Sequence, residues 1–357
     1  MLLPWLTFVA FVLVLLALDL GVFHRRAHVV SFREAVGWSL VWLSLGLAFS
    51  GIVYGCYEYG WGGLGAQVDP VDGLVNTGAT AVGKYLTGYV VEKSLSVDNI
   101  FVISMIFASL AVPAIHQHRV LFWGVIGALA MRAAMIVVGA RLIAEFHWVL
   151  YLFAAFLILT AVKMLVSRVE HVDPSASTVM RLCRRWLPVT DRYHGQRFLV
   201  PAGGEARPGA TIWLLTPLAV ALIMVEAADL VFAVDSIPAI FAITGDPFLV
   251  FTSNVFAMLG LRSLYFALAG MVATFRYLKP ALAAVLLVVG GKMLAAEWLK
   301  ETIGPSFNLY LLGVIASILA VGVMASLVSE RRRAASLALA VGAGDARGRS
   351  LTASAVS

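Results

Sequence analysis

Residues Glu92 to Ile103 read EKSLSVDNIFVI, and Asp229 to Ile240, 137 residues further on, read DLVFAVDSIPAI. Laid over each other, the two stretches pair Val97 with Val234, Ile100 with Ile237 and Ile103 with Ile240. They also set acid over acid twice, Glu92 on Asp229 and Asp98 on Asp235. A second block, Phe146 to Leu165, lies over Phe275 to Leu294 and shares Phe146/Phe275, Ala154/Ala283, Ala155/Ala284 and the whole Lys-Met-Leu at 163–165 and 292–294. Arg132 and Arg262 match between the blocks. Apolar letters coincide easily in a hydrophobic chain, but here the rare charged letters coincide as well, which argues for an internal repeat. Each copy carries three apolar runs. An odd number makes the copies cross a bilayer in opposite senses, so the expectation is a pair of inverted three-helix repeats with a binding site where they meet.

The rest of the chain fits a membrane. Of its 357 residues 61% are hydrophobic and only 13% charged, and the mean hydropathy is +0.93. An ordinary soluble domain does not read this way. A bilayer-spanning helix needs roughly 20 mostly apolar residues. Runs of that kind fall at 4–23, 35–57, 78–110, 119–143, 147–167, 212–243, 248–272, 280–296 and 307–328. The predicted fold is therefore an all-α polytopic transmembrane helical bundle of about nine spans. The first run lacks a basic leader and a small-residue cleavage site before His24-Arg25-Arg26, so it reads as a helix rather than a signal peptide.

Charge sets the orientation. The first turn holds Arg25, Arg26 and Arg33, whereas the segment 58–77 holds Glu58, Asp69 and Asp72 with no Lys or Arg. The positive-inside rule puts the first turn in the cytoplasm, and alternation then puts every other strongly basic segment there too. The expected layout is two N-terminal helices with an acidic outer loop (1–77), repeat 1 (78–167), a basic cytoplasmic linker (168–211), repeat 2 (212–296), a last helix (297–330) and a disordered cytoplasmic tail (331–357). The N-terminus is expected outside and the C-terminus inside, in the inner (plasma) membrane. The formal net charge of +6 is read as orientation, not nucleic-acid binding, because the basic residues sit in short turns. Cys56 and Cys183 stand far apart in sequence, which argues against a structural disulfide.

Ionisable side chains within apolar runs are costly and mark pathways or counter-ions. Glu92, Ser96 and Asn99 share one helical face, while Asp98 points about 120° from Glu92 on a regular helix. Glu226 and Asp229 are neighbours on one face, with Asp235 close to Pro238. Pro238 is expected to break its run and free a carbonyl near Asp235, allowing the acids to converge. Carboxylates with oxygens from Asn99, Ser96 and Ser236 form a hard, all-oxygen donor set. Such a set suits manganese, magnesium or calcium rather than zinc or copper(I). The plainer alternative is that the acids only pair with Lys93, Arg132, Lys163, Arg262 and Lys292.

Several of these strings carry a resemblance. Glu92 to Phe101 (EKSLSVDNIF), Gln117 to Gly124 (QHRVLFWG) with Met131-Arg132, Glu226 to Ala239 (EAADLVFAVDSIPA) and Gly290 to Leu294 (GGKML) resemble the signatures of the TerC family of integral membrane proteins. The resemblance runs from about residue 10 to 328. Asp19-Leu20-Gly21-Val22-Phe23-His24 is similar too, which adds Asp19 as a candidate. The resemblance implies a place in the lysine-exporter superfamily, with members implicated in manganese efflux and in tellurium resistance. It also implies that the family's acidic motif positions fall on Glu92, Asp98, Asn99, Asp229 and Asp235.

Together these readings predict a secondary transporter that exports Mn2+ as its cargo through Asp98 and Asp235, with Glu92 and Asp229 close by. Protons are the expected coupling ion, and no permanently bound cofactor is expected. Two alternatives have a different character: an exporter of another cargo such as Ca2+ or an amino acid, or a scaffold using the basic linker as a docking surface. No nucleotide loop, HExxH or nucleophile elbow is present, so an enzyme is not expected.

Overall fold

The computed structural model describes residues 2–18, 30–166, 181, 185–201, 213–268, 277–295, 298–299, 302, 310–330 and 332. Each of the nine apolar runs contains a helix among the described residues. The helices are α1 (Leu2–Leu18), α2 (Phe32–Glu58), α3 (Gly78–Ser109), α4 (Ala114–Glu145), α5 (Val149–Val166), α6 (Pro217–Phe241), α7 (Pro247–Leu259), α8 (Leu261–Leu268), α9 (Leu278–Leu294) and α10 (Tyr310–Glu330). Among the described residues, five helices are long and apolar enough to cross a membrane, or six if the bent pair α7–α8 is one span. The chain is a polytopic helical membrane protein. Its outer surface bears large apolar side chains, among them Leu40, Ile52, Val138, Leu152, Leu159 and Val321, as a lipid-facing surface requires.

Local chemistry sets where the central helices begin. Thr77 caps α3 through a reciprocal capping box with Thr80. Thr216 accepts from the Ala219 amide at the start of α6, with Pro217 in the first turn. Asp246 accepts from the Phe248 and Leu249 amides at the start of α7. Helix α3 lies at the centre, packed on α2, α6 and α7, while α4 packs on α6. Helices α5 and α9 run along each other, burying Ala154, Leu157 and Ala161 with Leu282, Leu286 and Val289.

Two sequence expectations are corrected here. First, neither α3 nor α6 is broken. Helix α3 is continuous for 32 residues, and α6 runs through Pro238 to Phe241. The proline sits in the last turn, where losing one amide is tolerated because little helix follows. Second, the break falls in the 248–272 run, where α7 and α8 meet at 40° around Gly260. A Cβ on Gly260 would lie 2.7 Å from Lys93 Nζ and 3.0 Å from Trp42 Cβ, so a larger residue would have to push the Lys93 end aside and crowd Trp42. The described part of the linker packs on the helices: its β1 (Leu199–Pro201) pairs antiparallel with β2 (Trp213–Leu215) at the start of the 212–243 run, in the register Leu199↔Leu215. Tyr193 donates to the Leu110 carbonyl at 2.7 Å, and the Arg119 guanidinium lies 5.1 Å from the Phe198 ring centre. Val189, Tyr193 and Phe198 pack into the core around Phe107 and Leu121. Most of the tail, much of the linker including Cys183, and Asp19 lie outside the described residues.

Candidate functional site: a buried carboxylate and guanidinium centre

Arg132 projects from the middle of α4 and is 1% exposed. Its guanidinium meets side chains from three other helices. Nε and Nη2 hold Asp229 of α6 side-on, at 3.3 Å to Oδ2 and 3.1 Å to Oδ1. Nη1 bonds Glu92 Oε1 of α3, Ser236 Oγ of α6 at 3.1 Å and Asn254 Oδ1 of α7 at 2.8 Å. Asn99, two turns beyond Glu92, donates weakly to Asp229 Oδ1 at 3.4 Å. Ser96 is buried one turn beyond Glu92, and its hydroxyl donates to the Glu92 carbonyl at 2.8 Å.

Two features separate this centre from a helix-packing ion pair. Glu92 and Asp229 set two carboxyl groups, two negative charges when both are ionised, against the single positive charge of Arg132. A buried charge is normally neutralised and fully hydrogen-bonded. In addition, among the described residues Glu92 Oε2 and Asn99 Oδ1, both buried, have no hydrogen-bond partner. Each is an acceptor, and an unmet buried acceptor carries the cost of its lost hydration. A narrow crevice of about 20 Å³, lined by Asn99, Asp229, Gly124, Ala128, Phe232 and Leu261, reaches the cluster. That is room for little more than one water molecule. Glu226, one turn before Asp229, is half-buried, and its carboxylate lies where a methyl group on Gly127 would collide with it.

The other expected site residues lie elsewhere. With α3 unbroken, Asp98 stays on a different face from Glu92, half-buried, with Lys279 as its charged neighbour. Asp235 accepts from Thr160 Oγ1 of α5 at 3.3 Å and lies near the exposed Lys163. Asp98 thus lies toward α9 and Asp235 toward α5, each with neighbours other than Arg132. Lys93 donates to the Ala257 carbonyl at 3.1 Å, beside the α7–α8 bend. Lys292 donates to the Ala242 carbonyl at 2.8 Å, just past the end of α6. Both ammonium groups thus sit on carbonyls at helix C-termini, which favour a cation. Arg262 is buried in the first turn of α8.

Two groups of polar residues were not anticipated. Asn254 is a direct partner of Arg132, and the only sequence signal for it was the polar triplet Thr252-Ser253-Asn254 inside an apolar run. A second buried network surrounds Lys84 in the second turn of α3. Its ammonium meets Asp69 Oδ2 at 2.8 Å, Asp72 Oδ2 at 2.6 Å and Asn76 Oδ1 at 2.6 Å. Asp69 also accepts from the Val71 and Gly245 amides at 2.9 and 2.8 Å and from Thr244 Oγ1. Asp246 accepts from Tyr57 OH at 2.7 Å. Burial alone would raise the Asp69 carboxyl. The Lys84 charge, with hydrogen bonds from Lys84, Thr244 and Val71, outweighs it and holds Asp69 below the ordinary carboxylate range. Asp246 is displaced the other way, pushed up by burial and by the nearby Asp69 charge against its hydrogen bond from Tyr57. Among the described residues no three His, Cys, Asp or Glu side chains gather as a preformed metal cage.

Fold and centre together define a polytopic α-helical membrane protein with a buried, oxygen-rich cluster around one guanidinium at the meeting point of its central helices. Residues 77–334 match the family described as the integral membrane protein TerC family. The chain belongs to that family. It is 48% identical over 327 residues to a Myxococcus xanthus protein named "Uncharacterized membrane protein STKORF319", covering 92% of each chain. It is 41% identical over 321 residues to the Escherichia coli K12 protein named "Putative membrane-bound redox modulator Alx", covering 88% of this chain and 91% of that one. A Rickettsia bellii protein named "Uncharacterized membrane protein" is 39% identical over 319 residues, covering 88% and 97%. No solved structure matches the chain.

Proposed function

We propose that the protein is a secondary transporter that exports a divalent metal ion, Mn2+ foremost, from the cytoplasm through the Glu92–Asp229 centre. The observation that carries this reading is the pair of oxygens left open among the described residues, Glu92 Oε2 and Asn99 Oδ1, in a buried cluster whose two carboxyl groups, when both are ionised, exceed the Arg132 guanidinium by one charge. A hard cation satisfies both the open acceptors and the excess charge. With Asp229 and Ser236 adjacent, the donors are all oxygen, which suits Mn2+, Mg2+ or Ca2+ rather than soft metals.

The wider frame of the proposal is nine spans, two inverted repeats (78–167 and 212–296), an outside N-terminus and a cytoplasmic C-terminus in the inner membrane. Repeat 1 contributes Glu92 and Arg132 and repeat 2 contributes Asp229, so the centre lies where the two would meet, as alternating access requires. A site with surplus carboxylate charge also suits proton antiport, because protons replace the metal at the same oxygens. This reading shifts the ion from Asp98 and Asp235, which are candidates for flanking positions, to Glu92 and Asp229. The name of the Escherichia coli relative speaks of redox modulation. A thiol-based version of that role would need a partner for Cys56, and the other cysteine, Cys183, lies outside the described residues.

The test is intracellular manganese in a Mn-sensitive bacterial strain expressing wild type or Glu92→Gln at matched protein levels. Lower manganese with wild type and not with the variant supports export through this centre. Equal lowering by both keeps export and removes the site. If neither lowers manganese, export fails and the other-cargo and scaffold readings take its place.

A further inference from the structure

The bonding of Arg132 is uneven. Nη1 carries two N–H groups but faces three acceptors, Glu92 Oε1, Ser236 Oγ and Asn254 Oδ1. Releasing Glu92 would leave both N–H groups of Nη1 bonded. Asp229 is held differently, by two separate nitrogens in a side-on pair, and would leave both without a partner if it moved. Asn254 is also fixed in place. Its Nδ2 donates to the Val250 carbonyl of its own helix at 3.3 Å, which turns Oδ1 toward the guanidinium. The carboxylate that Arg132 can release without losing a hydrogen bond is thus Glu92, the one whose second oxygen already has no partner.

We propose that Arg132 is a tethered cation that holds the place of the transported ion at Glu92 and withdraws onto Ser236 and Asn254 when the ion arrives. This rests on the export reading and assigns that site its internal competitor. A guanidinium keeps its charge at any physiological pH, so the empty centre is never left with two bare carboxylates. Competition keeps affinity low enough for release. Arg132 then sets affinity and turnover in opposite directions, which a purely structural arginine does not do.

The test titrates Mn2+ alone into the purified full chain in lipid nanodiscs, with efflux from vesicles measured in parallel. Arg132→Met should bind Mn2+ at least roughly tenfold tighter, because a unit positive charge beside the ion is removed, and yet turn over more slowly. Arg132→Lys should return affinity toward wild type. Asn254→Ala removes the parking acceptor, so freeing Glu92 then strands an N–H, and affinity should fall roughly tenfold. The Asn254 variant decides the matter if Arg132→Met does not fold. Wild-type binding with unchanged or weaker binding by a folded Arg132→Met overturns the competitor and leaves export standing. Unchanged binding by Asn254→Ala does the same. If no form binds Mn2+, wild type included, the site itself falls and the competitor with it.

Discussion

Lys84 and Arg132 are both buried cations facing two carboxylates, and they solve the same electrostatic problem to different ends. Lys84 has three N–H donors and meets three oxygens, from Asp69, Asp72 and Asn76, while the remaining lone pairs of Asp69 are taken by Val71, Gly245 and Thr244. Donors and acceptors match, and the network ties the loop before α3 to the turn between α6 and α7. Arg132 crowds three acceptors onto the two N–H groups of Nη1, and among the described residues two buried oxygens of its cluster, Glu92 Oε2 and Asn99 Oδ1, are left open. A matched network holds a fold in one arrangement, whereas an unmatched one leaves room for something to bind.

Removing Lys84 should therefore produce the largest loss of stability. Breaking a buried pair by deleting one partner costs about 3–5 kcal/mol, because the other charge is left uncompensated. Lys84→Met is expected to unfold at markedly lower temperature in detergent, while its folded fraction keeps wild-type Mn2+ affinity. A loss of affinity with no loss of stability would reverse the roles assigned to the two cations. Glu92→Gln should do the opposite. It retains an oxygen for Arg132 and hence the fold, but removes a charged ligand and should weaken Mn2+ binding by about a hundredfold, on the order of 3 kcal/mol for a charged interaction.

The contrast also marks what the sequence could disclose. The helices were legible because each run is long and apolar, and Glu92, Asp229 and Arg132 because a charge within such a run is conspicuous. The position of the break was not legible. Pro238 lies in the last turn of α6 and does not end it early, while the bend falls at Gly260, where Trp42 and Lys93 of other helices come close. Asp98 and Asp235 were placed with the site on the premise of a broken helix, and an unbroken α3 keeps Asp98 on another face. The Lys84 network was hidden for a different reason. Asp69 and Asp72 looked like solvent-facing loop charges until the loop was seen folded back over α3, and Asn254 had no charge to make it stand out.

Asp98→Asn and Asp235→Asn sharpen the comparison on the binding side. Both acids lie away from Arg132, and Asp235 has Thr160 and Lys163 for neighbours. Each substitution is expected to change equilibrium Mn2+ affinity by less than about threefold, within the ~0.5 kcal/mol of a site uncoupled to the ligand. A loss as deep as that of Glu92→Gln would mean that the two acids reach the ion in another conformation of the transporter.

The smallest effect concerns acid and the Lys84 network alone. Asp69 is held below its ordinary range, so its contribution to stability is fully present above the unfolded value and is lost as pH falls through the folded one. Asp246 is raised, so the folded state takes up its proton first, and its protonation stabilises the fold as pH falls toward the ordinary aspartate value. The unfolding temperature of wild type should therefore climb slightly on mild acidification and then drop below the ordinary aspartate range. Asp246→Asn should lessen the climb, since asparagine still caps α7 but carries no charge to neutralise. Asp69→Asn should remove the later drop at the cost of a lower baseline. A curve that only falls, unchanged by Asp246→Asn, would mean that Asp246 is not held in its neutral-favouring position against Asp69, and that this network is less closely matched than its distances imply.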